Sequence, residues 1–190
     1  MILFLHKILL SNIRDDIAGR YRNKNERVRV GSHIAPASEE INSRIFLMFN
    51  NYYANATNEI VKKISKFHLE FEYTHTFMDG NGRIGRVLNN YLLIREGYVP
   101  INIKFIDRQK YYSAFKEFQD AGKTTTMEEL VYLALTNSYH KRLAYMENKK
   151  IVTLTEYSKI KKISHSNLIN KANRQTIEAF MEKGVWKIGI

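Results

Sequence analysis

The stretch His75-Thr-Phe-Met-Asp-Gly-Asn-Gly-Arg-Ile-Gly-Arg86 decides how this chain of 190 residues is interpreted. Three of the nine glycines in the chain fall within six residues of this stretch, at Gly80, Gly82 and Gly85. Glycines cluster where the backbone approaches a ligand closely or adopts a positive φ. Successive N–H groups in such a turn form a nest for an anion, and the residues from Arg86 onward predict a helix. A nest that opens a helix is typical of a phosphate site, although an ordinary tight turn explains the glycines alone equally well.

The same glycines also match the dinucleotide fingerprint G-x-G-x-x-G. Strand-like residues 101–106 follow the predicted helix, and Asp107 lies about 20 residues on, where a ribose-binding acid belongs. No short apolar strand precedes the glycines, however, and the chain before them has mostly helical patterning. A Rossmann oxidoreductase that uses NAD is therefore a remote alternative.

The wider stretch resembles the active-site loop of the Fic family of nucleotidyl-transferring enzymes, whose motif is H-P-F-x-[D/E]-G-N-G-R-x-x-R. The matching positions are His75, Phe77, Asp79, the run from Gly80 to Arg83, and Arg86. Thr76 stands where the family usually has proline, which should loosen the loop slightly without removing a reacting group. The resemblance extends over about residues 5–146, because the stretch from Gly19 to Arg22 and the hairpin after it are similar to the family's docking region.

The resemblance implies a protein adenylyltransferase, which moves AMP from ATP onto a Ser, Thr or Tyr hydroxyl of a target protein. His75 would be the general base, since a neutral imidazole accepts a hydroxyl proton near pH 7. The other histidines are expected to be structural. Asp79 would hold Mg²⁺, a hard cation that prefers carboxylate and phosphate oxygens, although aspartate at this place is also a good helix cap.

The phosphate cradle follows from the same resemblance. Gly80, Asn81 and Gly82 would form the anion hole around the α- and β-phosphates. Arg83 would meet the β-phosphate and Arg86 the γ-phosphate, because guanidinium groups suit phosphate geometry. Gly82 leaves space that favours AMP transfer over phosphate transfer. The alternative for both arginines is a solvated helix face.

A short hairpin is predicted over residues 26–35, where valines alternate with charged residues and Gly31-Ser32 offers a turn. By resemblance, this flap would pair with a segment of the target protein by adding a strand. Its docking residues would be Val28, Arg29, Val30 and His33.

Many Fic proteins are restrained by a helix of pattern [S/T]-x-x-x-E-[G/N], whose glutamate pairs with the second motif arginine. The Ser/Thr-to-Glu spacing occurs at 113–117, 124–128 and 125–129, but neither Gly nor Asn follows. We therefore expect a chain that is uninhibited by itself, or an inhibitor supplied by an antitoxin-like partner or by residues upstream of Met1.

The composition predicts a mainly α fold, and the resemblance implies a Fic-type helical domain with a small β-hairpin flap. A small C-terminal helix-turn-helix or winged module is expected to follow it. Only two prolines occur, and apolar residues recur at helical spacing in 41–53, 111–118 and 127–145. His6 and Lys7 interrupt the apolar N-terminus, which favours an amphipathic helix over a signal peptide. No apolar run is long enough to span a membrane. The absence of cysteine excludes disulfides and thiolate zinc sites and fits a cytoplasmic protein.

A compositional shift at residue 149 predicts a second domain, so we expect domains over 1–148 and 149–190. The last 42 residues carry nine basic and three acidic side chains, a net +6 of the chain's +11. If the segment is a helix-turn-helix, its second helix would enter a DNA major groove. The outward residues would be Asn167, Asn170, Lys171 and Arg174. The alternatives are a helical appendage with a solvated basic face, or a DNA-binding regulator whose catalytic domain has decayed.

Overall fold

The computed structural model describes residues 1–31, 33–54, 59–104 and 107–190, and they are mainly helical, as predicted. The helices are α1 (Ile2–Leu10), α2 (Ile41–Ala54), α3 (Ile60–Thr74), α4 (Asn81–Arg95), α5 (Arg108–Ala121), α6 (Thr125–Met146), α7 (Leu154–Lys161) and α8 (His165–Asn173), with a 3₁₀ turn at Ser38–Glu40. The strands are β1 (Arg29–Val30), β2 (His33–Ile34), β3 (Ile151–Thr153), β4 (Ala179–Glu182) and β5 (Val185–Gly189).

The described chain forms two compact units. The first comprises residues 1–98 and 108–128, and the second comprises residues 99–107 and 129–190. The compositional boundary at residue 149 lies inside the second unit, so the charge asymmetry and the compact units divide the chain at different places.

The core of the first unit is the crossing of α3 and α4. Along α3, Ile60, Ile64, Phe67 and Phe71 are buried at spacings of three and four residues, which place them on one helix face. Leu88, Leu92 and Leu93 are the fully buried counterparts on α4. Burial of this apolar area fixes the two helices whose junction carries the glycine-rich loop.

The flap is a two-stranded antiparallel hairpin, which confirms the pattern found in the sequence. Arg29 pairs with Ile34 and Val30 with His33. Ser32, in the predicted turn, lies outside the described residues. Val30 and Ile34 are exposed, so the hairpin presents apolar side chains to its surroundings.

The second unit contains a three-stranded antiparallel sheet of order β3-β5-β4, with α7 and α8 between β3 and β4. Thr153 and Glu156 form a capping box at the start of α7. Ser164 precedes α8, and its side chain makes no capping hydrogen bond there. The buried core consists of Val152, Leu154, Leu168, Ala172, Ala179 and Ile188.

One alternative from the sequence is decided by the backbone. Every strand pair in the described residues is antiparallel, so the parallel sheet of a Rossmann fold does not occur there. Residues 101–104 form no strand, and residues 105 and 106 of that strand-like stretch lie outside the described residues.

The N-terminus forms helix α1, which buries Ile2, His6 and Leu10 and exposes Phe4 and Ile8. None of the helices described here has the length and apolar character needed to cross a bilayer.

Candidate active site

The glycine-rich loop joins the end of α3 to the start of α4. His75 caps α3 in a left-handed conformation, with φ of 46°, and its backbone N–H donates to the Phe71 carbonyl. Gly80 precedes α4 with φ of 81°, a conformation that favours glycine. The loop thus turns sharply at both ends, which brings the base candidate and the helix N-terminus close together.

The Asn81 side chain closes this loop from inside. The Phe77 N–H donates to Asn81 Oδ1 at 2.9 Å, and Asn81 Nδ2 donates to the Phe77 carbonyl at 2.8 Å. Phe77 is fully buried and stacks on the His6 ring at a centroid distance of 3.7 Å. Because both the oxygen and the nitrogen of the Asn81 amide are engaged with Phe77, this side chain shapes the loop.

His6 supports the loop as a neutral imidazole. Its Nδ1 accepts from the Gly19 N–H at 3.0 Å, so Nε2 carries the hydrogen and donates to the Asp79 carbonyl at 3.1 Å. Burial lowers the pKa of His6, which keeps the ring uncharged. The structural assignment of this histidine agrees with its contacts.

Arg22 clamps the other side of the loop, and sequence reasoning assigned it no individual role. Its Nε donates to the His75 carbonyl at 2.8 Å, and its backbone N–H donates to the Thr76 carbonyl at 3.2 Å. Its Nη2 donates to the carbonyls of Thr74 and Pro36. One buried guanidinium therefore ties α3, the loop and the segment after the flap together. The only earlier signal was its place in the stretch from Gly19 to Arg22.

Thr76 occupies the position usually held by proline in the motif. It is fully buried, and its Oγ1 has no hydrogen-bond partner among the described residues. A buried hydroxyl without a partner costs roughly 1–3 kcal/mol. Arg22 compensates by holding the Thr76 backbone, so the loop keeps its shape without the stiffness of a proline ring.

The hydrogen bonding of His75 fixes which ring nitrogen can accept a proton. Its Nδ1 lies 3.3 Å from the Glu72 carbonyl, which can only accept, so Nδ1 donates and Nε2 keeps its lone pair. Burial lowers the pKa of His75, and positive charge on His33 and Arg22 lowers it further, while the Glu72 carbonyl opposes the shift. The imidazole is therefore neutral at pH 7 and able to accept a proton.

A cavity of about 670 Å³ opens beside His75. The loop and α4 contribute Gly82 and Arg86, and the flap contributes Val30, Gly31 and His33. Aromatic side chains also line the cavity, namely Tyr73, Tyr111, Tyr112, Phe115 and Phe118. The structure thus brings the base candidate, one motif glycine, one motif arginine and the flap to a single cavity.

Glu72 and Arg86 both line this cavity, and the charge of Arg86 acts on the Glu72 carboxyl. Glu72 was not singled out from the sequence. Glu72 Oε1 is buried and accepts no hydrogen bond within the described part of the chain. Burial raises the pKa of Glu72 to about 7, and the nearby Arg86 charge only partly offsets this. Behind them, His68 Nε2 and the Tyr111 hydroxyl share a hydrogen bond of 2.6 Å. Burial lowers the pKa of His68 to about 4, so that ring is neutral as well.

Helix α4 begins earlier than the sequence predicted, because Asn81 and the residues after it are already helical. Gly82 and Gly85 therefore lie inside a helix, not in an open turn. A methyl group at Gly85 would lie 2.5 Å from Glu72 Oε1 and 3.2 Å from both Phe71 and His68. A methyl group at Gly82 would lie 3.3 Å from Arg86 Nη1. One glycine allows the helices to cross closely, and the other leaves room for the arginine.

Comparison with known proteins agrees with this geometry. Residues 1–93 match the profile of the Fic/DOC family. This chain carries a Fic/DOC family domain. The protein adenylyltransferase Fic of Nematostella vectensis is 36% identical over 114 residues, covering 58% of this chain and 26% of the relative. A probable protein adenylyltransferase of Aquifex aeolicus is 28% identical over 214 residues, covering 99% of this chain and 65% of the relative.

The solved structures support the same fold. Fic-1 (residues 134–508) from C. elegans superposes with a TM-score of 0.65 at 22% identity, covering 77% of this chain and 43% of that chain. This likeness concerns the fold. The present chain spans about a quarter of the Nematostella relative and just under two thirds of the Aquifex one.

Some predicted site residues of the Fic domain lie outside the cavity lining. Arg83 Nη2 donates to Asp79 Oδ2 at 3.3 Å, and both side chains are half-exposed. Asp79 Oδ1 accepts from the Gly80 N–H, so Asp79 braces the start of α4 without acting as its N-cap residue. No cluster of three or more His, Cys, Asp or Glu side chains suited to a metal occurs within the described ranges.

Two of the glutamates at the Ser/Thr-to-Glu spacing of the inhibitory pattern, Glu117 and Glu128, have hydrogen-bond partners of their own. Glu117 accepts from the backbone N–H of Thr126 at 3.1 Å, which places it at the start of α6. Glu128 accepts from the Thr124 hydroxyl. Both carboxylates are used where α6 begins.

Outside the Fic domain, the residues predicted to face DNA are exposed on or next to α8. Asn167, Asn170 and Lys171 lie on the helix, and Arg174 follows it. Arg174 Nε donates to the Asn170 carbonyl at 3.2 Å, so its guanidinium folds back on the helix end. DNA binding by this surface stays a prediction.

Proposed function

We propose that this chain is a protein adenylyltransferase, which joins AMP from ATP to a hydroxyl of a target protein. The observation that carries the proposal is the shared cavity of His75, Gly82, Arg86 and the flap. The adenylyltransferase names of the relatives support the same reaction class. The proposed reaction consumes a protein hydroxyl and ATP, and it yields the AMP–protein ester, pyrophosphate and a proton.

The triphosphate would lie along the N-terminus of α4. The backbone N–H groups of Gly80, Asn81 and Gly82 are the proposed anion hole, at a helix end that favours negative charge. The Gly80 N–H, which donates to Asp79 Oδ1, would have to exchange this contact for one with a phosphate. Arg83 is proposed for the β-phosphate and Arg86 for the γ-phosphate. The aromatic side chains that line the cavity offer flat faces for the adenine ring.

Asp79 is the proposed ligand of Mg²⁺. A half-exposed carboxylate at the phosphate-binding helix end fits this ion, because Mg²⁺ is commonly held by one or two carboxylates together with substrate phosphates. When bound, the ion would neutralise phosphate charge. Arg83 would then have to exchange its contact with Asp79 for one with the nucleotide.

His75 performs the proton transfer in this proposal. Its Nε2 would accept the proton of the acceptor hydroxyl as the oxygen attacks the α-phosphate and the bond to pyrophosphate breaks. Val28, Arg29, Val30 and His33 would hold the target segment as an added strand, which fixes the hydroxyl at the reacting phosphorus. Gly82 would leave open the space that favours transfer of AMP over transfer of phosphate.

We further propose that this chain is uninhibited by itself, or that its inhibitor is supplied by an antitoxin-like partner or by residues upstream of Met1. The support is the absence of the full inhibitory pattern in the sequence.

The test is transfer of label from α-³²P-ATP to protein in the presence of Mg²⁺. His75→Ala should reduce labelling, including labelling of the chain itself, by about 10²–10⁴-fold, the typical worth of a general base. His165→Ala is the matched control, because His165 is exposed on α8 and contacts only Thr155 among described side chains. Full labelling by the His75 variant would overturn the assignment of the base.

A DNA-binding regulator with a decayed catalytic domain is the second candidate, and the exposed basic surface of α8 favours it. The wild-type chain separates the two functions, since a decayed domain would transfer no label while still retaining duplex DNA.

A further inference from the structure

The second unit contains a cavity of about 420 Å³ that is separate from the proposed nucleotide site. It lies among the segment that carries Lys104, the middle of α6 and the turn that joins β4 to β5. Its volume is more than ten times the roughly 30 Å³ that one water molecule occupies in the liquid. The cavity therefore has room for an organic group as well as an ion.

Lys104 supplies a half-buried positive charge to this cavity. Its Nζ donates to Asn137 Oδ1 at 2.9 Å and lies 4.5 Å from the centroid of the Trp186 ring. Neither of these neighbours carries a charge that neutralises the ammonium group. Burial lowers the pKa of Lys104, and the more distant Asp107 does not outweigh this effect. Burying a cation at this cost suits a position that receives an anion.

The side-chain oxygen of Asn137 is fixed by two hydrogen bonds, and its Nδ2 can donate to a ligand. Its Oδ1 accepts from both Lys104 Nζ and the Met181 backbone N–H, the latter at 2.8 Å. Two donors occupy both lone pairs of the oxygen, so the orientation of the amide is fixed. What this side chain has left to contribute to the cavity is the two hydrogens of Nδ2.

The remaining polar side chains also suit an anion. Lys183, at the turn between β4 and β5, adds a second ammonium group, and Ser138 adds a hydroxyl that can donate. Glu182, the acid next to this turn, is engaged with Lys141 and Lys187 and does not line the cavity. The cavity therefore combines two cations with neutral donors.

We propose that this cavity is a binding site for the phosphate group of a phosphate ester. A phosphate offers several acceptor oxygens and negative charge to donors that converge from three segments. The volume leaves space for the sugar or base attached to it. Such a phosphate comes either from a free nucleotide or diphosphate, or from the backbone of a nucleic acid, and the two sources share the same recognition chemistry.

Trp186 provides a built-in reporter, because it is the one tryptophan in the sequence and lies beside Lys104. The full chain is titrated with sodium pyrophosphate and, separately, with a duplex DNA oligonucleotide, while Trp186 emission is recorded at constant ionic strength. We expect a saturable change with at least one of these probes. Saturation by pyrophosphate identifies a free phosphate compound as a sufficient ligand, and saturation by DNA alone identifies the nucleic-acid backbone.

Variants connect the response to the cavity. Lys104→Met keeps the length of the side chain, and it should weaken binding about tenfold or more, as expected for loss of one charged hydrogen bond. Lys183→Gln tests the same site from an exposed turn, where the fold depends little on the side chain. Lys62→Gln, exposed in the first unit, is the matched control and should leave binding unchanged.

Three results would overturn the proposal. The first is a chloride titration that reproduces the emission change, and the second is the absence of saturation with both probes. The third is an affinity that neither Lys104→Met nor Lys183→Gln alters.

Discussion

The buried environment of Glu72 disfavours the charged form of its carboxyl group. Its Oε1 is buried against Gly85 without a hydrogen-bond donor in the described chain, and its pKa is raised to about 7. A carboxyl whose pKa is higher in the folded than in the unfolded state binds more protons when folded. The folded state therefore loses stability as pH rises from the ordinary glutamate value to about 7.

Glu72→Gln should remove this loss. Relative to wild type, the variant should gain about 3 kcal/mol of unfolding free energy between pH 4 and pH 8, from denaturant titrations at each pH. Glu59→Gln is the control, because that carboxylate is exposed. The difference cancels the opposite contribution of His68, whose pKa is lowered to about 4 and which therefore destabilises the fold as pH falls. A pH-independent difference between Glu72→Gln and wild type would contradict the prediction.

The role proposed for His75 predicts how catalysis depends on pH. Burial lowers its pKa from the ordinary histidine value, so the neutral ring predominates at pH 7 and kcat/KM should fall on the acid side only. The profile is measured with α-³²P-ATP in wild type and in Glu72→Gln, because Glu72 titrates near 7 at the same cavity. An acid limb that persists in Glu72→Gln belongs to His75. A limb centred above pH 7 in both proteins would exclude His75 as the base.

At the scale of elements, the crossing of α3 and α4 depends on one glycine. Gly85→Ala should destabilise the protein by about 1–3 kcal/mol, the usual cost of overpacking, because its methyl group would meet Glu72, His68 and Phe71. Gly82→Ala should leave stability unchanged or raise it by up to about 1 kcal/mol, since alanine favours helices. The measurement is chemical unfolding of both variants.

The variant that keeps its stability, Gly82→Ala, should be the one that loses affinity for ATP. Gly82→Ala crowds Arg86 Nη1 at 3.3 Å, so the KM for ATP should rise while the fold remains intact. Equal stability changes in the two variants would contradict the prediction, because helix propensity acts alike at both positions and the close crossing lies at Gly85 alone.

The elements of this fold were predictable where the signal is local in the chain. The hairpin around Val30 depends on neighbouring residues, and it occurs as expected. The motif from His75 to Arg86 is also one continuous segment, so its loop could be located directly. The start of α4 was misplaced because Gly82 and Gly85 disfavour helix locally, while packing against α3 stabilises helix there.

The parts of the site that the sequence did not reveal come from other elements. Arg22 donates to the His75 carbonyl across more than fifty residues of sequence. The charge of Arg86 acts on Glu72 because the helices that carry the two residues cross. Nothing in the local pattern distinguishes Glu72 from an exposed glutamate on a helix. Its raised pKa arises from desolvation, which is a property of the packed core.

At the scale of the whole molecule, the positive charge serves more than one proposed ligand. Arg83 and Arg86 belong to the proposed triphosphate site, and Lys104 and Lys183 line the cavity of the second unit. The basic excess of residues 149–190 is mostly exposed and includes Lys171 and Arg174 on or next to α8. A generic attraction of polyanions and a specific face of α8 predict different behaviour when equal charge is removed from different places.

Duplex DNA binding by the full chain distinguishes these cases. The double variant Lys171→Glu/Arg174→Glu should weaken binding and reduce the slope of log affinity against log salt by about 2, because each lost phosphate contact removes about one unit of slope. The double variant Lys62→Glu/Lys66→Glu changes the net charge equally on the exposed face of α3 and should leave the slope unchanged. Both variants should keep transferring label from α-³²P-ATP, since none of these lysines or arginines lines the cavity beside His75. Equal losses of DNA affinity in the two variants would mean that net charge alone attracts DNA and that α8 has no special role.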